Sequence, residues 1–126
     1  MTKNYFCIFA GGGVRGTAYV GALKALEEME IEISGLAGSS VGALFASLVA
    51  VGYTQEEIKN LFYDINYQIF KDLYIPFGKD FGFFKGDEVY SWVKNKIEYK
   101  FYGNNKNENS PPVTFKDLDK ELVIVA

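Results

Sequence analysis

The feature that most constrains this chain is the pentapeptide Gly38-Ser39-Ser40-Val41-Gly42, which separates a strand-like apolar segment from a helix-like one. It matches G-x-S-x-G, the pattern of a sharp strand-to-helix turn that exposes a nucleophilic serine. Larger side chains two residues before or after the serine would collide in such a turn, so glycine is needed at both places. Only Ser40 has glycine at both positions, and we predict that it is the nucleophile.

The choice of catalytic base is limited because the chain contains no histidine. A serine hydroxyl is a weak nucleophile until a neighbouring base takes its proton. A Ser-His-Asp triad is therefore excluded within these 126 residues. If Ser40 is catalytic, its base is a carboxylate, a lysine or a group outside this sequence. The lysine nearest to either motif is Lys24, on the polar face of a predicted helix.

A glycine-rich loop follows the first predicted strand, which is the continuous apolar run at residues 5–10. After the loop, apolar residues recur at helical spacing, so strand, loop and helix form one βα unit. Loops after neighbouring parallel strands lie at the same edge of a sheet, and we expect this loop to face Ser40. The loop is Gly11-Gly12-Gly13-Val14-Arg15-Gly16, and the predicted inward residues of the helix are Ala18, Ala22, Leu23, Leu26 and Met29.

This loop is consistent with two functions. Gly11, Gly13 and Gly16 satisfy G-x-G-x-x-G, the dinucleotide fingerprint. That site also uses an acidic residue at the end of the second strand, whereas here the nearest acid, Glu32, precedes that strand. In the other interpretation the loop amides form an oxyanion hole for Ser40. We favour the oxyanion hole and keep dinucleotide binding as the alternative.

Together, the two motifs resemble the start of a patatin-like phospholipase domain, a family that uses a Ser–Asp dyad. The resemblance agrees with the missing histidines and implies that Ser40 is the nucleophile. It covers the first 50 or so residues most clearly. The resemblance also implies an oxyanion hole built from the motif Gly11, Gly12, Gly13, Val14, Arg15 and Gly16, and an elbow formed by Gly38, Val41 and Gly42 around the serine.

The sequence departs from the family at the aspartate, which in patatin-like proteins precedes a glycine. No Asp-Gly pair occurs here. Asp87 opens a predicted helix and is expected to be its N-cap, and the other aspartates have no motif around them. We therefore expect residues 1–126 to be the N-terminal part of a single patatin-like domain and to be inactive alone. A non-catalytic fragment of the same fold is a further alternative.

The expected fold is α/β, with three layers (α/β/α) around a mainly parallel sheet. The resemblance implies hydrolysis of phospholipids or other fatty-acyl esters, including those at a membrane surface, without a metal or organic cofactor. The net charge of −3 gives no reason to expect nucleic acid as a partner. No signal peptide is visible, so we expect a cytoplasmic protein. Residues 69–85 are rich in aromatics and glycine and are predicted to be a packed loop or a lipid-facing lid.

Overall fold

The computed structural model of the protein describes residues 4–64 and 85–125. Within these residues, three parallel strands form one sheet in the order β1 (Tyr5–Phe9), β2 (Ile33–Ser39) and β3 (Glu121–Val125). The α/β class and the parallel sheet are thus confirmed. The aromatic segment predicted to be a packed loop or a lid lies, except for its last residue, outside the described residues.

Helices connect the strands. Among the described residues they are α1 (Ala18–Glu28), α2 (Val41–Ala50), α3 (Gln55–Asp64) and α4 (Lys85–Tyr102). Short 3-10 helices lie at Gly13–Thr17, Gly103–Asn105 and Phe115–Asp117. None of the described helices is both long enough and apolar enough to cross a membrane.

The core lies between α2 and one face of the sheet. Cys7, Leu36 and Leu122 are paired across the three strands, so their side chains share that face. Leu36 is fully buried there, as is Phe45 of α2. This explains why α2 is apolar nearly all round: it packs on the sheet and is also covered by α4. On the opposite face, exposed apolar side chains come from both outer strands: Phe6, Ile8, Val123 and Val125.

Helix α1 is rotated relative to the sequence-based expectation. Ala18, Ala22 and Met29 were predicted to face inward and are exposed. Of the predicted inward residues, Leu23 is buried and Leu26 is half-buried. Tyr19 is half-buried as well, so the inner face follows the spacing i, i+4, i+7 from residue 19. The prediction gave weight to the small alanines, whereas the larger side chains determine which face packs.

Two other helices, α4 and α3, begin in different ways. The expected N-cap at Asp87 is wrong, because α4 already begins at Lys85. Helix α3 begins with a capping box: the Thr54 N–H donates to Glu57 at 2.8 Å, and the Glu57 N–H donates to Thr54 Oγ1 at 3.3 Å.

Glu57 also links α3 to α4. Lys100 Nζ donates to both carboxylate oxygens of Glu57, at 2.7 and 2.8 Å, and lies 5.1 Å from the ring centroid of Tyr53. The hydrogen bond from Lys100 lowers the pKa of Glu57. Burial, together with the charge of Glu57, raises the pKa of Tyr53 to about 12. This network holds α4 against the start of α3.

Candidate functional site

Ser40 occupies a strained turn between β2 and α2. Its φ of 52° lies in the left-handed region, which costs a residue with a side chain roughly 1–3 kcal/mol. The Ser40 carbonyl accepts the N–H groups of Ala43 at 2.9 Å and Leu44 at 3.4 Å, so the helix begins at once. The serine itself is exposed. This is the geometry that the G-x-S-x-G pattern predicts.

The glycines two residues before and after Ser40 are sterically required. A Cβ at Gly38 would lie 2.2 Å from the carbonyl oxygen of Gly42. A Cβ at Gly42 would lie 2.1 Å from the carbonyl oxygen of Phe9, at the end of β1. Both positions are blocked by backbone, which cannot rotate away as a side chain can. The elbow is therefore pressed against its own first helical turn and against the neighbouring strand.

The glycine loop lies against this elbow, as the sequence predicted. A Cβ at Gly11 would be 3.3 Å from the Cβ of Ser40, and one at Gly16 would be 2.7 Å from Cγ2 of Val41. Gly13 has a φ of 56°, a conformation that favours glycine. The structure therefore brings together the two motifs that lie more than 20 residues apart in the sequence.

The loop presents backbone donors that are free to bind a ligand. Within residues 4–64 and 85–125, the N–H groups of Gly11 and Gly12 have no hydrogen-bond acceptor, and both residues are exposed. Val41 is the first residue of α2, where helix N–H groups have no partner within the helix. Free amides beside a serine hydroxyl are what an oxyanion hole requires.

The base that would activate Ser40 is not found in the described part of the chain. There, no carboxylate is hydrogen-bonded to Ser40. Asp117 and Asp119 precede β3 and so lie at the amino edge of the sheet, away from the serine. Hydrogen bonds from Thr114 lower the pKa of Asp117, which makes it a weak base. Asp72 and Asp80 are outside the described residues.

The acid that a dinucleotide site needs is also at the amino edge. Glu32 immediately precedes β2, whereas the glycine loop follows the carboxyl end of β1. A parallel pairing of β1 and β2 places these two features at opposite ends of the sheet. Among the described residues, no group of three or more His, Cys, Asp and Glu side chains is arranged to hold a metal ion.

Tyr19 lies next to the site, although the sequence did not lead us to predict it there. Its hydroxyl donates to the carbonyl oxygen of Ala10 at 2.6 Å, immediately before the glycine loop. Its ring packs edge-on against Phe9 and Phe45, with centroids 5.0 and 5.4 Å apart. The spacing of Tyr19 from Leu23 would have placed it on the buried face of α1.

Comparisons with known proteins agree with this geometry. The family model described as patatin-like phospholipase matches residues 7–123. The uncharacterized protein YqhO of Bacillus subtilis is 32% identical over 104 residues, which are 74% of this chain and 36% of that protein. Lysophospholipase NTE1 of Coccidioides immitis is 42% identical over 48 residues, 38% of this chain and 3% of that protein.

Among solved structures, the type III effector protein ExoU of Pseudomonas aeruginosa has the same fold, with a TM-score of 0.67 at 16% identity. The match covers 94% of this chain and 32% of the ExoU chain. The chain belongs to the patatin-like phospholipase family. It spans about a third of the length of YqhO and of ExoU.

Proposed function

We propose that this chain carries the nucleophile and the oxyanion hole of a serine lipid acyl hydrolase. The observation that carries the proposal is the contact between the two motifs: the strained, exposed Ser40 lies against the backbone of Gly11. The loop offers free N–H groups at that place. Membership of the patatin-like phospholipase family supports the same assignment.

In the proposed reaction, an aspartate that is not among these 126 residues takes the Ser40 proton, and Oγ attacks the ester carbonyl. The tetrahedral oxyanion accepts hydrogen bonds from the loop amides at Gly11 and Gly12 and from the Val41 N–H. Each such donor contributes roughly 3 kcal/mol to the stabilisation of the transition state. The alcohol leaves with the proton, and water then hydrolyses the acyl-enzyme. This assignment makes residues 1–126 the N-terminal part of one catalytic domain.

The substrates we propose are fatty-acyl esters, of the phospholipid or lysophospholipid class. The partial similarity to lysophospholipase NTE1 supports this class. Such substrates are presented at membrane surfaces, and we propose that the protein meets them there from the cytoplasm. The proposed chemistry uses no metal or organic cofactor and no nucleic acid.

The proposal is tested by replacing Ser40 in the full-length natural protein. Ser40→Ala removes the nucleophile, so hydrolysis of short p-nitrophenyl esters should fall to background while the circular dichroism spectrum stays unchanged. Ser39→Ala is the matched control, because it removes the neighbouring hydroxyl. Wild-type turnover in Ser40→Ala would mean that Ser40 is structural. Absence of turnover in the wild-type protein would favour the non-catalytic alternative.

A further inference from the structure

We propose that Tyr19 is a positioning residue that holds the glycine loop against Ser40; this inference rests on the proposed function. Its hydroxyl donates to the Ala10 carbonyl at 2.6 Å. Ala10 links the last residue of β1 to Gly11, where an added Cβ would lie 3.3 Å from the Ser40 Cβ. Tyr19 therefore acts on the segment from which the oxyanion donors project.

The loop has few other restraints at this place. In the described chain, Gly11 and Gly12, the first two residues of the loop, make one backbone hydrogen bond, from the Arg15 N–H to the Gly12 carbonyl at 3.2 Å. Consecutive glycines have more conformational freedom than any other residues, so Gly11 and Gly12, which precede the 3-10 helix, do not hold one geometry by themselves. The hydrogen bond from Tyr19 holds the Ala10 carbonyl in place, and this limits the positions that the next residue, Gly11, can take.

The tyrosine can serve as an anchor because its ring is held on two sides. Phe9 and Phe45 pack edge-on against it, with centroids 5.0 and 5.4 Å away. Phe45 is fully buried and stacks on Phe62 at 4.6 Å. These contacts tie the hydroxyl to the core, so that little rotational freedom is lost when it donates to Ala10.

The hydroxyl donates to the loop backbone and not to a reacting atom, so its effect is on geometry. A displacement of the donors weakens the hydrogen bonds to the oxyanion, which form mainly in the transition state. Loss of this hydrogen bond should therefore lower kcat and leave KM nearly unchanged. A misplacement of about 1 Å in an active site costs up to roughly a hundredfold, and we expect about tenfold here.

The chain offers a matched control in Tyr102. Its hydroxyl donates to the Pro111 carbonyl at 2.7 Å, also across nine residues, and its ring is likewise half-buried. Tyr102 lies at the end of α4, and its acceptor lies in the segment that leads to β3. Replacement by phenylalanine removes one equivalent hydrogen bond in each case and keeps both rings in place.

The experiment compares Tyr19→Phe and Tyr102→Phe in the full-length natural protein, by ester hydrolysis kinetics and by the NMR amide shifts of Gly11, Gly12 and Gly13. We expect Tyr19→Phe to move these shifts and to lower kcat about tenfold, with no such changes in Tyr102→Phe. Thermal unfolding should change to a similar extent in both variants, because each loses one hydrogen bond of the same kind.

The two measurements, the NMR shifts and the hydrolysis kinetics, test this inference separately from the proposed function. Unmoved glycine shifts in Tyr19→Phe would overturn the anchoring role whether or not the protein is active. Moved shifts with an unchanged kcat would overturn the catalytic importance of the anchor. A wild-type protein without hydrolysis would refute the proposed function, and the shifts alone would then decide whether Tyr19 holds the loop.

Discussion

The elbow and the glycine loop both depend on glycine, but for different reasons. In the elbow, a Cβ at Gly38 or Gly42 would come within 2.2 Å of backbone carbonyl oxygens. In the loop, a Cβ at Gly12 would meet its nearest neighbour, the Arg15 Cβ, at 3.6 Å, an ordinary contact. The elbow therefore needs glycine for packing, whereas Gly12 in the loop has room for a side chain.

Because of this difference, we expect substitutions in the two regions to change different properties of the protein. The elbow fixes Ser40 because strand, turn and helix are locked together by backbone contacts. Gly11 and Gly12, at the start of the loop, lie beside the elbow with exposed donors and, among the described residues, one backbone hydrogen bond. We infer that substitutions in the elbow act mainly on the free energy of unfolding, and that substitutions at the start of the loop act mainly on turnover.

The largest effect is expected at Gly42. Gly42→Ala would place a Cβ 2.1 Å from the Phe9 carbonyl oxygen, so β1 and α2 would have to separate. We expect a loss of about 3 kcal/mol in the free energy of unfolding, measured by urea denaturation. Gly21→Ala is the control, because a Cβ there meets nothing within 4 Å. In the middle of α1 that change should stabilise the protein by up to about 1 kcal/mol. Equal stabilities of the two variants would contradict the steric account of the elbow.

A smaller effect, on turnover, is expected at Gly11. The added Cβ of Gly11→Ala would lie 3.3 Å from the Ser40 Cβ, so either the serine or the loop must move by a few tenths of an ångström. We expect kcat to fall on the order of tenfold, equivalent to about 1.4 kcal/mol, with little change in urea denaturation. Gly12→Ala, whose added Cβ has room, should likewise cause little change in urea denaturation. Unfolding of Gly11→Ala would show that the loop, too, is locked by packing.

Ser40→Gly should reveal the strain directly. A left-handed φ costs a residue with a side chain roughly 1–2 kcal/mol, and glycine avoids that cost. We expect Ser40→Gly to be more stable than Ser40→Ala by about 1 kcal/mol, with both variants inactive. The comparison with alanine removes the contribution of the hydroxyl group. If the alanine variant were as stable as the glycine variant, the turn would not be strained.

The smallest effect is expected away from the site, at the ion pair of Glu57 with Lys100. The pKa of Glu57 is lowered in the folded protein, so its stabilisation is present above the ordinary pKa of glutamate and is lost as pH falls through the folded value. Glu57→Gln should cost about 0.5 kcal/mol at neutral pH, since both side chains of the pair remain partly exposed to water.

The pH dependence distinguishes this charge effect from a general loss of packing. Melting temperatures of Glu57→Gln and wild type should converge in acid, because wild-type Glu57 is then protonated as well. Glu56→Gln is the control: Glu56 is in the same helical turn, and within the described chain it forms no salt bridge. A difference that persisted in acid for Glu57→Gln would contradict the role of the carboxylate charge.

Much of the site could be predicted from the sequence because it is local. The elbow is a five-residue pattern whose glycines and serine specify one backbone geometry. The contact between the elbow and the glycine loop followed from a general property of parallel strands, whose carboxyl ends share one edge. Both predictions rest on backbone constraints, which are visible in the sequence.

What the sequence did not reveal depends on side chains that meet across the fold. The role of Tyr19 depends on Phe9 and Phe45, which belong to two other elements. The link between Glu57 and Lys100 joins two helices through residues that are 43 positions apart in the sequence. No local pattern specifies such contacts. The inner face of α1 was misplaced for the same reason, since tertiary packing decided which side chains were covered.

Labelling the full-length natural protein with a fluorophosphonate determines whether Ser40 is an activated nucleophile. Only a serine with a base beside it reacts at an appreciable rate. We expect one adduct per molecule, located on Ser40 by peptide mass spectrometry, lost in Ser40→Ala and retained in Ser39→Ala. The 126-residue chain alone should remain unlabelled. An adduct on another serine, or a folded full-length protein that takes up no label, would contradict the account.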